Sequence, residues 1–251
     1  MCRLLGYLGP PLTLHALLYE PPHSLHEQSW APQAQRSGVV NADGAGVGWY
    51  DLDRRPEPAR YRAARPMWAD ASLQSLAGVV ASTAVLAAVR SATPPSPAEE
   101  SSTPPFTDGS WLFAHNGSVN GFRDGVGTRL RRTLSERRDA GIVGTSDSEV
   151  LFALFLDRLD GGMPAREALA SVVDAVDAER GGFLTMIAMD GPRLVAVTAG
   201  DPLHLLTTGA AVTVASEPSD DSSWEAVPDA SLIEATAGDV TCIALHRKEP
   251  A

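Results

Sequence analysis

Cys2 has more chemical potential than any other residue in the chain, because of its position. An initiator methionine is normally removed ahead of a small residue. Its loss would put a free α-amine on the same residue as the thiol. With a reference pKa of about 7.7–8.0, such an amine accepts a proton near neutrality and can act as base for its own sulfur. The plainer alternative is a small apolar residue in a buried first strand. Three other segments bear on the choice. His115-Asn116-Gly117 joins a side-chain amide donor to a glycine whose N–H a ligand can approach, a pair able to bind a developing oxyanion. Asn-Gly is also the commonest hairpin turn, so a strand-end turn is the competing reading. Thr145-Ser146-Asp147-Ser148-Glu149 opens an apolar run and reads as a helix start with a capping box, from which Asp147 could receive an ammonium. Arg90 ends a strongly apolar stretch, where an unpaired guanidinium is costly. It needs an anion, either a structural carboxylate or a bound one that it grips bidentately.

Taken together, Arg90 and Asp147 would hold the two ends of an α-amino acid while Cys2, Asn116 and Gly117 act on its far carbonyl. That set of roles suits a γ-glutamyl amide.

These residues need rigid supports, and the pattern supplies candidates. Cys2–Leu8 reads as a short buried strand ending at Gly9-Pro10-Pro11. Residues 12–20 suit one or two helical turns, and 36–50 suit strands around a turn at Asn41–Gly44. Leu76–Val89 favours a strand in its second half, and residues 110–114 form a strand running into His115. An Arg-rich helix is expected over Arg123–Ala140, with a solvated face. A capped helix is expected from Thr145 to Gly161 and another at about Pro164–Glu179. After Gly181-Gly182, five short apolar segments read as strands, the last containing Cys242 as a core residue. The proline-rich stretch 93–105 reads as a surface loop. His23, His26 and Glu27 fit no metal template and read as surface loop too. Strands, helices and strands again argue for α+β architecture.

Composition removes whole chemistries. Of 20 basic residues the only lysine is Lys248, so a Schiff-base or phosphate-loop lysine has no good candidate. The net charge of −11 argues against nucleic acid or an anionic membrane as the main partner. Two cysteines without a C-x-x-C cannot form a Cys-rich zinc site. Gly44, Gly46 and Gly48 miss a dinucleotide loop because Trp49 stands where glycine is required. No cofactor or metal is expected. The start shows no basic leader and no stretch is long and apolar enough to span a bilayer, so the expectation is a reducing cytoplasm with both thiols free.

Met-Cys-Arg at the start, V-R-S-A-T at 89–93, H-N-G at 115–117 and T-S-D-S-E at 145–149 resemble, in order, the class II glutamine amidotransferase domain. The resemblance covers essentially the whole chain, residues 2–251, as a single domain. It implies an N-terminal-nucleophile hydrolase fold: a four-layer α-β-β-α sandwich with two antiparallel sheets packed face to face between helices. It also implies roles: Cys2 as nucleophile, Asn116 and Gly117 as oxyanion donors, Arg90 for the substrate α-carboxylate and Asp147 for its α-ammonium. N-A-D-G-A-G-V-G-W at 41–49 and P-F-T-D-G-S-W at 105–111 resemble a single-domain hydrolytic branch acting on a γ-glutamyl thiohistidine conjugate. Ala88 replaces the histidine of the usual H-x-R, and Pro94 follows Thr93 where histidine is usual, departures that point to a changed substrate. Two other readings are a glutaminase subunit passing ammonia to a separate synthase, and a non-catalytic γ-glutamyl-binding protein that keeps Met1. Oligomeric state is not legible.

Overall fold

The computed structural model describes residues 2–36, 38–92 and 99–247. Residues 93–98 of the proline-rich stretch, and Lys248, lie outside them. The first strand, β1 (Arg3–Thr13), starts one residue after the thiol. It is longer than expected: Gly9-Pro10-Pro11 does not end it but falls at a register break between Leu8 and Leu12. Prolines are tolerated where the ladder is already interrupted. Two short helices follow, α1 (Leu14–Leu18), capped by Thr13, and α2 (Leu25–Gln28), capped by Ser24. Then come β2 (Ala45–Trp49), β3 (Ala59–Ala63), α3 (Ala71–Ala77) and β4 (Ala81–Val89). Only the second half of 36–50 is strand, because Asn41 and Asp43 turn their groups to other segments.

The middle of the chain holds β5 (Phe106–Asp108), β6 (Trp111–Val119), α4 (Val126–Arg131), α5 (Glu136–Ala140), α6 (Asp147–Asp160) and α7 (Ala165–Asp177). The strand expected over 110–114 therefore continues through His115-Asn116-Gly117, which is mid-strand and not a turn. The expected Arg-rich helix is two helices broken at residues 132–135, where Ser135 takes an extended conformation (φ −62°, ψ 152°). The last part contains β7 (Gly182–Met189), β8 (Leu194–Thr198), β9 (His204–Thr208), β10 (Ala211–Ala215), β11 (Glu225–Ala226), β12 (Ser231–Thr236) and β13 (Asp239–Ala244). β11 and β12 are additional to the five strands read from sequence. Cys242 lies on β13, at the edge of its sheet, and is exposed rather than core.

All strand pairings among the described residues are antiparallel. One sheet has the order β11-β9-β10-β1-β4-β2-β3 and the other β13-β12-β8-β7-β6-β5. Strand alternation sorts side chains into three apolar layers. Leu4, Leu86 and Ala88 of one sheet face Leu112, Ala114, Ile187 and Leu194 of the other. Leu5, Tyr7, Val85 and Ala87 point outward beneath α1 and α3, packing on Leu14, Leu18 and Leu73. Phe113, Met186 and Ala188 point outward on the opposite side, against Leu151 and Phe155 of α6 and Leu169 and Val173 of α7. Each large side chain so buried contributes roughly 1.5–3 kcal/mol. The result is the four-layer α-β-β-α sandwich, with both sheets covered on both faces.

Candidate active site

The register of the first sheet decides which residues share its end. Arg3 pairs with Val89, so Cys2 and Arg90, one residue further out, leave β1 and β4 side by side. Cys2 has the parity of Leu4 and faces the layer between the sheets. In the second sheet Asn116 has the parity of Leu112 and Ala114, and so faces the same layer. The two meet there: the Cys2 backbone nitrogen donates to Asn116 Oδ1 at 2.7 Å. Asn116 is fully buried, and its Nδ2 donates to Asp201 Oδ2 at 3.3 Å.

A buried ion pair fixes the Cys2 backbone. Arg3 donates from Nε to the Cys2 carbonyl at 2.6 Å and from Nη1 to Glu217 Oε1 at 2.7 Å, with Arg3 and Glu217 each only 1% exposed. Glu217 also accepts from the backbone N–H of Gln33 and Ala34 and pairs with His23 Nε2 at 2.7 Å. His23 is thus part of a buried network and not surface loop. Burial alone would push the Glu217 carboxyl up, but the bonds from His23, Gln33 and Ala34 and the charge of Arg3 hold it below the usual glutamate value.

Gly117 is required by its surroundings. Its φ is +147°, and a Cβ there would overlap the Phe183 carbonyl oxygen. His115 explains part of that crowding: its Nε2 lies 3.0 Å from the same oxygen and its Nδ1 3.0 Å from Ser148 Oγ. A carbonyl can only accept, so His115 Nε2 carries a hydrogen and donates it to Phe183. His115 thereby ties β6 to the first turn of α6.

That turn is capped largely as the sequence suggests. Ser146 Oγ accepts from the Glu149 N–H. The Glu149 carboxylate, however, reaches back to the Ser146 hydroxyl and to the Gly144 N–H, two residues before the N-cap N–H that a standard capping box would use. Asp147 is held by two backbone donors, Val119 N–H at 3.0 Å and Ser148 N–H at 2.8 Å. Lone-pair capacity for another donor remains on both oxygens.

Cys2, Arg90, Gly117 and Asp147 line one cavity of about 260 Å³, together with His115, Ser118, Thr145 and Ser148. Asn116 lies directly behind its wall. Arg90 is 6% exposed; its Nη1 donates to the Asp43 carbonyl at 3.4 Å, and Asp43 in turn accepts from the Ala92 N–H. A guanidinium, a carboxylate and a thiol therefore line the same cavity. A second cavity of about 270 Å³, lined by Arg60, Arg62, Phe106, Arg138, Glu149 and Phe152 among others, contains none of the candidate residues. Among the described residues no group of three His, Cys, Asp or Glu side chains is placed to hold a metal, and no helix is long and apolar enough to cross a membrane.

Asp201, Glu217, His23 and Ser148 were not singled out from sequence as parts of this site. Ser148 sits inside the T-S-D-S-E motif and could have been. Glu217 closes an apolar strand with a carboxylate, a weak signal. Asp201, in a Gly-Asp-Pro turn after β8, gives no local signal.

This sandwich and site define the class. The family profile described as "Glutamine amidotransferases class-II" matches residues 14–211, and the chain belongs to that family. Solved structures agree in fold. A glutamine aminotransferase class-II domain protein from Silicibacter pomeroyi superposes with a TM-score of 0.71 at 25% identity, covering 98% of this chain and 100% of that one. Glutamine phosphoribosylpyrophosphate amidotransferase from Bacillus subtilis superposes with a TM-score of 0.73 at 16% identity, covering 99% of this chain but 50% of that one. Among curated relatives, the γ-glutamyl-hercynylcysteine sulfoxide hydrolase of Mycobacterium tuberculosis is 42% identical over 250 residues, 98% of each chain. The protein of the same name from Mycolicibacterium smegmatis is 38% identical over 235 residues, 93% of this chain and 95% of that one.

Proposed function

We propose that residues 2–251 act as one amidohydrolase domain. It cleaves the γ-glutamyl amide of γ-glutamyl-hercynylcysteine S-oxide, releasing glutamate and hercynylcysteine S-oxide in ergothioneine biosynthesis. The observation that carries the reading is the shared cavity: a thiol, a guanidinium and a carboxylate around a space suited to a γ-glutamyl group. The leaving group is taken from the relatives' names and from their match along nearly the full length of both chains.

The steps follow from the geometry. With Met1 removed, the nitrogen now facing Asn116 Oδ1 is an amine. Arg90 holds the substrate α-carboxylate and Asp147 its α-ammonium, which aims the γ-carbonyl at the Cys2 sulfur. The thiol adds to that carbon as its proton passes to the α-amine. The oxygen becomes an oxyanion stabilised by Asn116 Nδ2–H and the Gly117 N–H, donors worth about 2.7–4 kcal/mol each. The tetrahedral species collapses, the C–N bond breaks, and the proton moves from the amine to the departing nitrogen. Water then adds to the Cys2 thioester by the same route and glutamate leaves.

The test is an end-point assay on the purified protein with the γ-glutamyl sulfoxide conjugate and, separately, with glutamine. Release of glutamate from the conjugate at a kcat/KM well above that for glutamine is expected. Glutamine as the better substrate, with turnover raised by an added synthase, would instead identify an ammonia-donating subunit.

A further inference from the structure

We infer that Asp201 is a positioning residue for this reaction, acting through the side-chain amide of Asn116; the inference rests on the reading of Cys2 as nucleophile given above. Three observations converge. The Asp201 side chain is fully buried, yet no step of the reaction uses it. Its Oδ2 takes the Asn116 Nδ2 hydrogen. Its Oδ1 is buried without a hydrogen bond among the described residues, and its nearest cation is Arg36, whose Nε stands 3.4 Å away on a half-exposed side chain. A carboxylate held this way costs stability, because desolvation is only partly offset. Burial indeed pushes its carboxyl above the usual aspartate range, opposed by the charges of Arg36 and Arg3.

Hydrogen-bond inventory gives the carboxylate its task. An ionised carboxylate only accepts, so it can face only the NH₂ end of Asn116. That turns Oδ1 toward Cys2, where it accepts from the nitrogen. A neutral amine that donates one hydrogen to Oδ1 keeps its lone pair free for the thiol proton. The flipped amide would do the reverse: Nδ2 would donate into that lone pair and occupy the base. One Nδ2 hydrogen goes to Asp201, and the other remains for the oxyanion. Asp201 thus sets the polarity of both functions of Asn116, much as a third residue orients the base of a nucleophile–base pair. Thr185 Oγ1 donates to the Asp201 backbone carbonyl at 2.7 Å, fixing the segment independently of the carboxylate.

The experiment compares wild type, Asp201→Asn and Cys2→Ala as purified mature proteins, using a chromogenic γ-glutamyl anilide over a range of pH. For Asp201→Asn, kcat should fall by about 10- to 100-fold with KM within about twofold of wild type, since base function is impaired and binding is not. The acid limb of the pH profile should move to lower pH, because an anion beside an ammonium favours its protonated form and its removal releases the proton earlier. The Tm should be unchanged or higher, because a buried charge whose desolvation is only partly offset is gone. A lowered Tm with an unmoved acid limb and wild-type kcat would overturn the inference, leaving Asp201 a structural residue. Persisting turnover in Cys2→Ala would overturn the nucleophile assignment instead, so the two failures are distinguishable. If Asp201→Asn is not recovered folded, Arg36→Gln carries the test. Removing a cation from the neighbourhood of the amine favours its protonated form and should move the acid limb upward, and an unmoved limb counts against the inference.

Discussion

The Cys2 backbone nitrogen and Asn116 Oδ1, 114 residues apart in sequence, are joined at 2.7 Å across the layer between the two sheets. Every chemical role assigned to the site is built around that contact. It puts the nitrogen that would become the α-amine against an acceptor, on a residue that lines the same cavity as Arg90 and Asp147.

Cys2→Ala should abolish glutamate release and leave substrate binding within a few-fold of wild type. Turnover is read by amino-acid analysis and binding by calorimetry. Intact-mass measurement of the active protein should show Met1 absent, and full activity with Met1 present would eliminate the amine as base.

Arg90→Ala should act mainly on recognition. Charge-assisted hydrogen bonds are worth about 1.5–3 kcal/mol, so kcat/KM should drop roughly 10- to 150-fold. Asp147→Asn should give a comparable loss and a small fall in Tm, since Asp147 also accepts from the Val119 and Ser148 N–H groups. Steady-state kinetics on both variants decides, and unchanged values in both remove the pair from the site.

Gly117→Ala should be severe, because the added methyl meets the Phe183 carbonyl in a backbone conformation that alanine rarely adopts. Loss of turnover and a Tm lowered by several degrees are expected. Wild-type behaviour in both measurements would mean that β6 and β7 can separate at no cost.

Glu217 connects the site to acid stability. Its folded pKa lies below the usual 4.5, so its contribution is complete above that value and is lost as pH falls through the lower folded pKa. Urea midpoints should therefore decline with acidification from about pH 4.5 downward. Glu217→Gln should lose about 3–5 kcal/mol at neutral pH, since Arg3 would remain buried without its partner, and should show a weaker acid dependence.

The family was legible because each motif carries its candidate groups in adjacent residues: a thiol at position two, an amide followed by a glycine, an acid at a capped helix start. The helices α6 and α7 were legible for a similar reason, since caps and apolar period are local. Element ends were harder. His115-Asn116-Gly117 has the composition of a turn, but pairing with β7 on one side and burial of Asn116 on the other keep it extended. Cys242 has apolar neighbours like a core strand, yet strand order leaves β13 with one partner only, and that is a property of the whole sheet.

By itself the sequence determined which atoms can react and which charges can grip a γ-glutamyl group, since those depend on residue type. Only the tertiary structure decided what surrounds them: that Glu217 and His23 clamp Arg3 and so the Cys2 backbone, and that Asp201 accepts from Asn116. Such partners come from segments far apart in the chain, and their effect lies in burial and direction of hydrogen bonds. A hydrogen-bond acceptor in a turn looks the same in sequence whether water or a catalytic amide faces it, and only the packing of the two sheets distinguishes the cases.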